Sequence, residues 1–119
     1  MKENITAIKS VDFAIKIIQL YKTLVEERRE YVMSKQLLRS GTAMGALVRE
    51  AEHAESKPDF LHKMNIALKE ANETGYWLFL LYRGGYIPES LFNEYNNDCL
   101  ELIKLLASIV KTTKANLGR

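Results

Sequence analysis

Apolar residues recur along this chain at intervals of three and four, and no stretch shows the two-residue alternation of a half-buried strand or a hairpin turn pair. A first helix is expected over about residues 5–29. In it Val11, Ala14, Ile15, Ile18, Tyr21 and Val25 follow the i, i+3, i+4, i+7 rule. Phe13, Ile17, Leu20 and Leu24 form a second apolar set beside them. So wide an apolar surface exceeds what one bundle needs, and a subunit contact is the expected use of the excess. A second helix over about 34–55 takes Ser34 as its N-cap and buries Leu37, Leu38, Gly41, Met44, Val48 and Ala51. Ser56-Lys57-Pro58 stops it and starts a third, about 58–82. Pro58 loses nothing in a first turn, and Asp59 complements the positive end of the helix dipole.

Phe60, Met64, Ala67, Ala71, Thr74, Leu78 and Leu81 mark the core stripe of the third helix. Gly84-Gly85 breaks it, and Pro88 opens a fourth helix to about residue 114. The fourth stripe is Phe92, Tyr95, Cys99, Leu102, Leu106, Ile109 and Thr113. Four long helices with short connectors require antiparallel neighbours. The expected fold is all-α, an antiparallel up-down-up-down four-helix bundle, with residues 1–119 as one domain.

Two glycines interrupt the second helix. Each costs about 0.5–1 kcal/mol relative to alanine. Gly41 and Gly45, four apart, share one face, and Ser40, Thr42, Ala43 and Ala46 keep the surroundings small. Close approach by another helix, or by a ligand backbone, is the expected reason.

Composition changes this picture little. The 119 residues are 47% hydrophobic and 27% charged, an ordinary globular balance, and the net charge of +2 does not by itself announce a nucleic-acid binder. Its distribution says more, because Lys104, Lys111, Lys114 and Arg119 follow Leu102 with no acidic residue among them. Lys2, Lys9 and Lys16 recur every seven residues, either as a solvated row or as an anion-binding one. Cys99 is the single cysteine, so no intrachain disulfide forms and a reducing compartment fits. Lys9, Asp12 and Lys16 interrupt any signal-like apolar run, and no segment approaches the roughly 18 apolar residues of a membrane span. The expectation is a cytoplasmic protein without membrane contact.

Candidate chemistry is sparse. Glu50-x-x-His53 is the half-motif of di-iron bundles, which need it twice plus two more glutamates, and His62 has no Glu three residues before it. Surface or salt-bridged residues are therefore preferred to a metal site. There is no phosphate loop and no recognisable nucleophile arrangement, and Cys99 sits on a core stripe. No enzyme activity and no cofactor are expected. Lys69, Glu70, Glu73 and Thr74 form a polar cluster in an otherwise apolar helix. Glu50 or Glu52 is a candidate partner for Lys69, and Arg39 or Arg49 for Glu70 or Glu73. The cluster is either a fold-specifying ion network or a recognition face. Tyr76, Trp77, Tyr82 and Tyr86 suit base stacking, or a core or subunit interface.

Gln36-Leu37-Leu38-Arg39-Ser40-Gly41-Thr42, Gly45-Ala46, Glu50-Ala51, Ser56 with Asp59-Phe60, Lys63, Ile66 to Ala71, Glu73-Thr74 and Tyr76-Trp77-Leu78 together form a recognisable set. The chain closely resembles the bacterial four-helix proteins encoded in intervening sequences of large-subunit ribosomal RNA genes. Relatives of that family include the accessory variability determinant of diversity-generating retroelements. Leu47-Val48 departs from the pattern, since relatives often carry a polar Asn after Gly-Ala. The resemblance implies a small four-helix subunit that assembles into a pentameric ring or barrel. For the retroelement relative it further implies binding of nucleic acid and of a reverse transcriptase.

The functional expectation is a homo-oligomeric binder of RNA in preference to DNA, a pentamer as the resemblance implies. Its candidate contacts are Lys9, Lys16, Arg28, Arg29, Arg39, Arg49, Lys104, Lys111 and Lys114. Gly41, Gly45, Glu50, Lys69, Glu70, Glu73 and Trp77 are assigned to packing and assembly. The alternative is a scaffold that docks a protein such as a reverse transcriptase.

Overall fold

A computed structural model describes residues 4–119, folded as four helices: α1 Ile5–Glu26, α2 Met33–Ala51, α3 Lys57–Arg83 and α4 Glu89–Asn116. No strand occurs among the described residues. Each helix packs against its neighbours in sequence, α1 also touches α4, and α1 and α3 do not meet. The result is an antiparallel up-down-up-down bundle, 47 × 24 × 21 Å, with α1 and α3 on diagonal corners. Lys2, the first of the seven-residue lysine row, lies outside the described residues.

The core is one layer of stripes meeting on the bundle axis. From α1 it takes Phe13, Ile17, Leu20 and Leu24, with the hydroxyls of Thr6 and Ser10 buried at its N-terminal end. This reverses the expected order of the two apolar sets. Val11, Ile15 and Ile18 belong to the face pointing away from the core. Spacing alone shows that two stripes exist, and only the approach of α2 and α4 chooses between them. The α3 stripe is as expected, except that Leu61 is buried where Phe60 is only partly covered. In α4 the buried stripe runs through Tyr95, Cys99, Leu102, Leu106 and Val110, so Val110 replaces the expected Ile109, and Phe92 and Thr113 at its ends are only partly covered.

Asn4 caps α1 by accepting the Ala7 N–H at 3.1 Å. The helix stops at Glu26, three residues before the expected boundary, because Arg29 adopts the left-handed conformation with φ 53°. That turn lets the Glu30 N–H reach back to the Leu24 carbonyl at 2.9 Å. Glu30 then takes the capping role expected of Ser34. Its carboxylate accepts the N–H groups of Val32, Met33 and Ser34 at 3.1, 3.1 and 2.6 Å, while Ser34 Oγ donates to the Glu30 carbonyl. Burial opposes the Glu30 charge, but these donors outweigh it and hold the carboxyl below its usual range.

At the other end α2 stops at Ala51, not near residue 55, because the start of α3 claims the next residues. Ser56 is extended and accepts the Asp59 N–H at 3.1 Å, while Asp59 reaches back to the Glu55 N–H at 3.1 Å. α3 ends in a Schellman turn. The Tyr86 N–H bonds the Leu81 carbonyl and the Gly85 N–H bonds Tyr82, with Gly85 at φ 85° where a side chain would strain the backbone.

Candidate functional site

The two glycines of α2 face α1. A Cβ at position 41 would lie 2.9 Å from both Cγ atoms of the fully buried Ile17, closer than real packing allows. At position 45 the nearest atom would be Ser10 Oγ, at an ordinary 3.4 Å. Gly41 is therefore a required close-approach position, and Gly45 is a tolerant one. The approaching group is another helix. Gly45 also forms part of the floor of an open groove of about 1000 Å³ between α1 and α2, with Val11, Ala14, Ile15 and Ala46. Arg49 and His53 line it where α2 gives way to α3.

The polar cluster of α2 and α3 is an ion network. Arg39 donates to Glu70 at 2.9 Å and makes a close pair with Glu73, whose carboxylate also accepts the indole N–H of Trp77 at 3.0 Å. The Trp77 donor, aided by Arg39, holds the Glu73 carboxyl below its usual range. Beneath it the Ser40 and Thr74 hydroxyls lie 2.9 Å apart in the core, and Thr74 donates to the Glu70 carbonyl. Lys69 does not take part through a salt bridge. Glu50 pairs instead with Lys63 at 3.8 Å, and Glu52 accepts from Asn4. Antiparallel register explains this: Arg39 stands level with Glu70, so position 50 stands near 63, well past Lys69. Arg49 is carried away from Glu70 and Glu73 for the same reason.

A second network joins α1 to α4. Lys9 pairs with Glu101 at 3.1 Å, and Lys16 with Glu94 and Asp98 at 2.8 and 2.6 Å. Partial burial opposes the Lys16 charge, yet the Asp98 and Glu94 carboxylates raise its pKa above the ordinary lysine value. The Tyr95 hydroxyl donates to the Lys16 carbonyl at 2.9 Å and locks the same level of the interface. Arg28 braces two loops, donating to the carbonyls of Gly85 and Tyr86 at 2.9 and 3.0 Å. Arg29 sits exposed at its strained turn.

The nine candidate phosphate contacts thus divide. Lys9, Lys16, Arg28 and Arg39 have partners within the bundle. Arg29, Arg49, Lys104, Lys111 and Lys114 are exposed and form no salt bridge among the described residues. Glu50 and His53 do not share a helix face, because α2 ends between them, and no three His, Cys, Asp or Glu side chains among the described residues converge as a metal site. Cys99 is buried, donates to the Ala71 carbonyl at 3.2 Å, and has its thiol pushed up to about 12 by that burial.

Of the four aromatic candidates, Tyr82 stacks on Phe92, Tyr86 lies under Arg28, and Trp77 is held by Glu73. Tyr76 stays exposed, and Phe79 joins it one turn on. Phe79 went unrecognised in the sequence, although its three-residue spacing from Tyr76 is visible there. On α1, Ile8, Val11, Ile15 and Ile18 are 39–50% exposed at strict 3/4 spacing, a seam that no helix among the described residues covers.

A model of 23S rRNA-intervening sequence proteins matches residues 2–108. The chain belongs to this family. It is also similar to a crystal structure from Bacteroides thetaiotaomicron, described as a protein of unknown function from the S23 ribosomal protein family. The two share 57% identity over 90% of this chain and 99% of that one, with a TM-score of 0.89. No curated protein matches the chain. The family assignment and the four-helix fold agree with the resemblance carried by the Gln36–Leu81 segment. No helix among the described residues is long and apolar enough to cross a membrane.

Proposed function

We propose that the protein is a non-enzymatic, homo-oligomeric nucleic-acid-binding protein, a pentamer that prefers RNA to DNA. The observation that carries the binding reading is the C-terminal half of α4. Lys104, Lys111 and Lys114 stand exposed there with no acidic residue after Glu101, while Glu101 and the acids of the preceding turns pair with α1 lysines. Phosphates meet those lysines without competition from carboxylates. Assembly draws on the unpartnered seam of α1, which buries apolar surface worth about 25 cal/mol per Å². At +2 per chain, five copies carry about +10, so a modest monomer charge becomes an effective field.

Filter binding of labelled RNA at increasing salt tests the reading. Affinity should fall steeply with salt, and Lys111→Glu with Lys114→Glu should weaken it. No binding of RNA or DNA at low salt would refute it. Light scattering gives the subunit number. A second reading, docking of a protein such as a reverse transcriptase, is favoured by the apolar groove over Val11, Ala14 and Ile15. Co-purification of that enzyme after nuclease treatment separates the two.

A further inference from the structure

The acidic residues of α3 and α4 are Asp59, Glu70, Glu73, Glu89, Glu94, Asp98 and Glu101. Asp59 and Glu89 lie in first turns, where they serve helix starts. Glu70 and Glu73 are drawn to Arg39 on the α2 side, and Glu94, Asp98 and Glu101 to Lys16 and Lys9 on the α1 side. These carboxylates are therefore drawn by their cation partners to the two flanks of the α3–α4 hairpin, toward α2 and toward α1.

What occupies the outward face between those flanks is equally specific. On α3, Lys69, Asn72, Tyr76, Phe79 and Arg83 follow one another at alternating spacings of three and four, and all five are exposed. On α4, Asn93, Asn97, Leu100, Lys104 and Lys111 do the same at spacings of four, three, four and seven. The two rows lie side by side, since Phe79 contacts Phe92 and a Cβ on Gly75 would meet Cys99 Sγ at 3.9 Å. Tyr76 and Phe79 are 55% and 45% exposed, a large unsatisfied aromatic area for a helix surface. Arg83 rests over the Phe79 ring, 5.8 Å from its centroid.

We propose that this face is the nucleic-acid site and that its ligand is an unpaired strand. The inference rests on the reading above that the protein binds nucleic acid. Cations spaced along a helix follow a phosphate backbone. Amides bond base edges without selecting one sequence. Exposed rings need bases whose faces are free, and a duplex hides those faces in its stack. A protein partner would be expected to bring acidic side chains to the lysines, but it would leave the row of neutral amides without a role. The α1 seam borders the groove on the α1–α2 side of the bundle, whereas this face is on the α3–α4 side, so assembly through the seam leaves it open.

The test uses the intact oligomer and two fluorescein-labelled probes, an unstructured uridine dodecamer and an RNA duplex of equal length. The single strand should bind about tenfold more tightly than the duplex. Tyr76→Ala should weaken single-strand binding by about fivefold or more while leaving the salt slope unchanged. Lys104→Gln and Lys111→Gln should each lower that slope by about 0.7. Phe79→Leu preserves packing against Phe92 and removes the ring, so it guards against loss of fold in Tyr76→Ala; it too should weaken the single strand. Equal affinity for both probes, or binding untouched by all four variants, overturns this site while the wider proposal stands. Absence of binding to both probes overturns both.

Discussion

Adding one methyl group to α2 gives the sharpest test of the packing. Gly41→Ala and Gly45→Ala gain the same helix propensity, about 1 kcal/mol each, since both lie inside one helix. They differ in what the new Cβ meets. At 41 it lies 2.9 Å from two carbons of Ile17, a fully buried side chain with nowhere to move. Overpacking of that kind costs about 1–3 kcal/mol. The net result is a loss of about 0–2 kcal/mol for Gly41→Ala. At 45 the contact with Ser10 is ordinary, so Gly45→Ala should be neutral or more stable by up to about 1 kcal/mol. Urea unfolding followed by far-UV circular dichroism, at one fixed protein concentration because assembly adds stability, should separate the two by about 1–3 kcal/mol. In a thermal melt each kcal/mol corresponds to roughly 3–6 °C at this chain length. A double-mutant cycle identifies the partner. Ile17→Ala alone should cost about 2–5 kcal/mol, and in that background Gly41→Ala should turn neutral or favourable. Equal stability of the two alanine variants, or no coupling to Ile17, would refute the close-approach argument.

The capping carboxylate gives a pH signature. Glu30 has its pKa lowered in the folded state, so its contribution is fully present above the ordinary carboxylate value and is lost as pH falls through the lower folded one. Glu30→Gln should cost about 0.5–2 kcal/mol at neutral pH and flatten the acid limb of the stability curve, as read by urea midpoints between neutrality and acid. Tyr95→Phe removes the hydroxyl that reaches the Lys16 carbonyl and should cost about 0.5–1.5 kcal/mol in the same assay. Arg39→Met breaks the α2–α3 network and should lose about 1 kcal/mol at low salt and less at high salt, since Arg39 is half exposed; the emission of Trp77 should shift with its Glu73 partner. Cys99 should react with a thiol reagent only as fast as the bundle opens, so labelling should accelerate in parallel with urea unfolding.

The chain by itself determines that there are four helices, where three of their stripes lie, and that short connectors force antiparallel neighbours. These follow from 3.6-residue periodicity and from local breakers such as Pro58, Gly84-Gly85 and Pro88, all of which act within a few residues. The family is equally legible, because Gln36 to Leu81 carries its pattern. What only the tertiary structure decides is which of two apolar stripes on α1 turns inward, since each has helical spacing and the answer depends on what approaches. Ion partners are decided the same way. The seven-residue lysine row looks free along the chain, yet Lys9 and Lys16 are consumed by carboxylates 92 and 82 positions away. Register, a property of two helices at once, places Glu50 on Lys63 and leaves Lys69 outward. Gly41 and Gly45 look alike in sequence. A Cβ on one would crowd Ile17 and on the other would meet only Ser10 at an ordinary distance, a difference of half an ångström that no local rule contains.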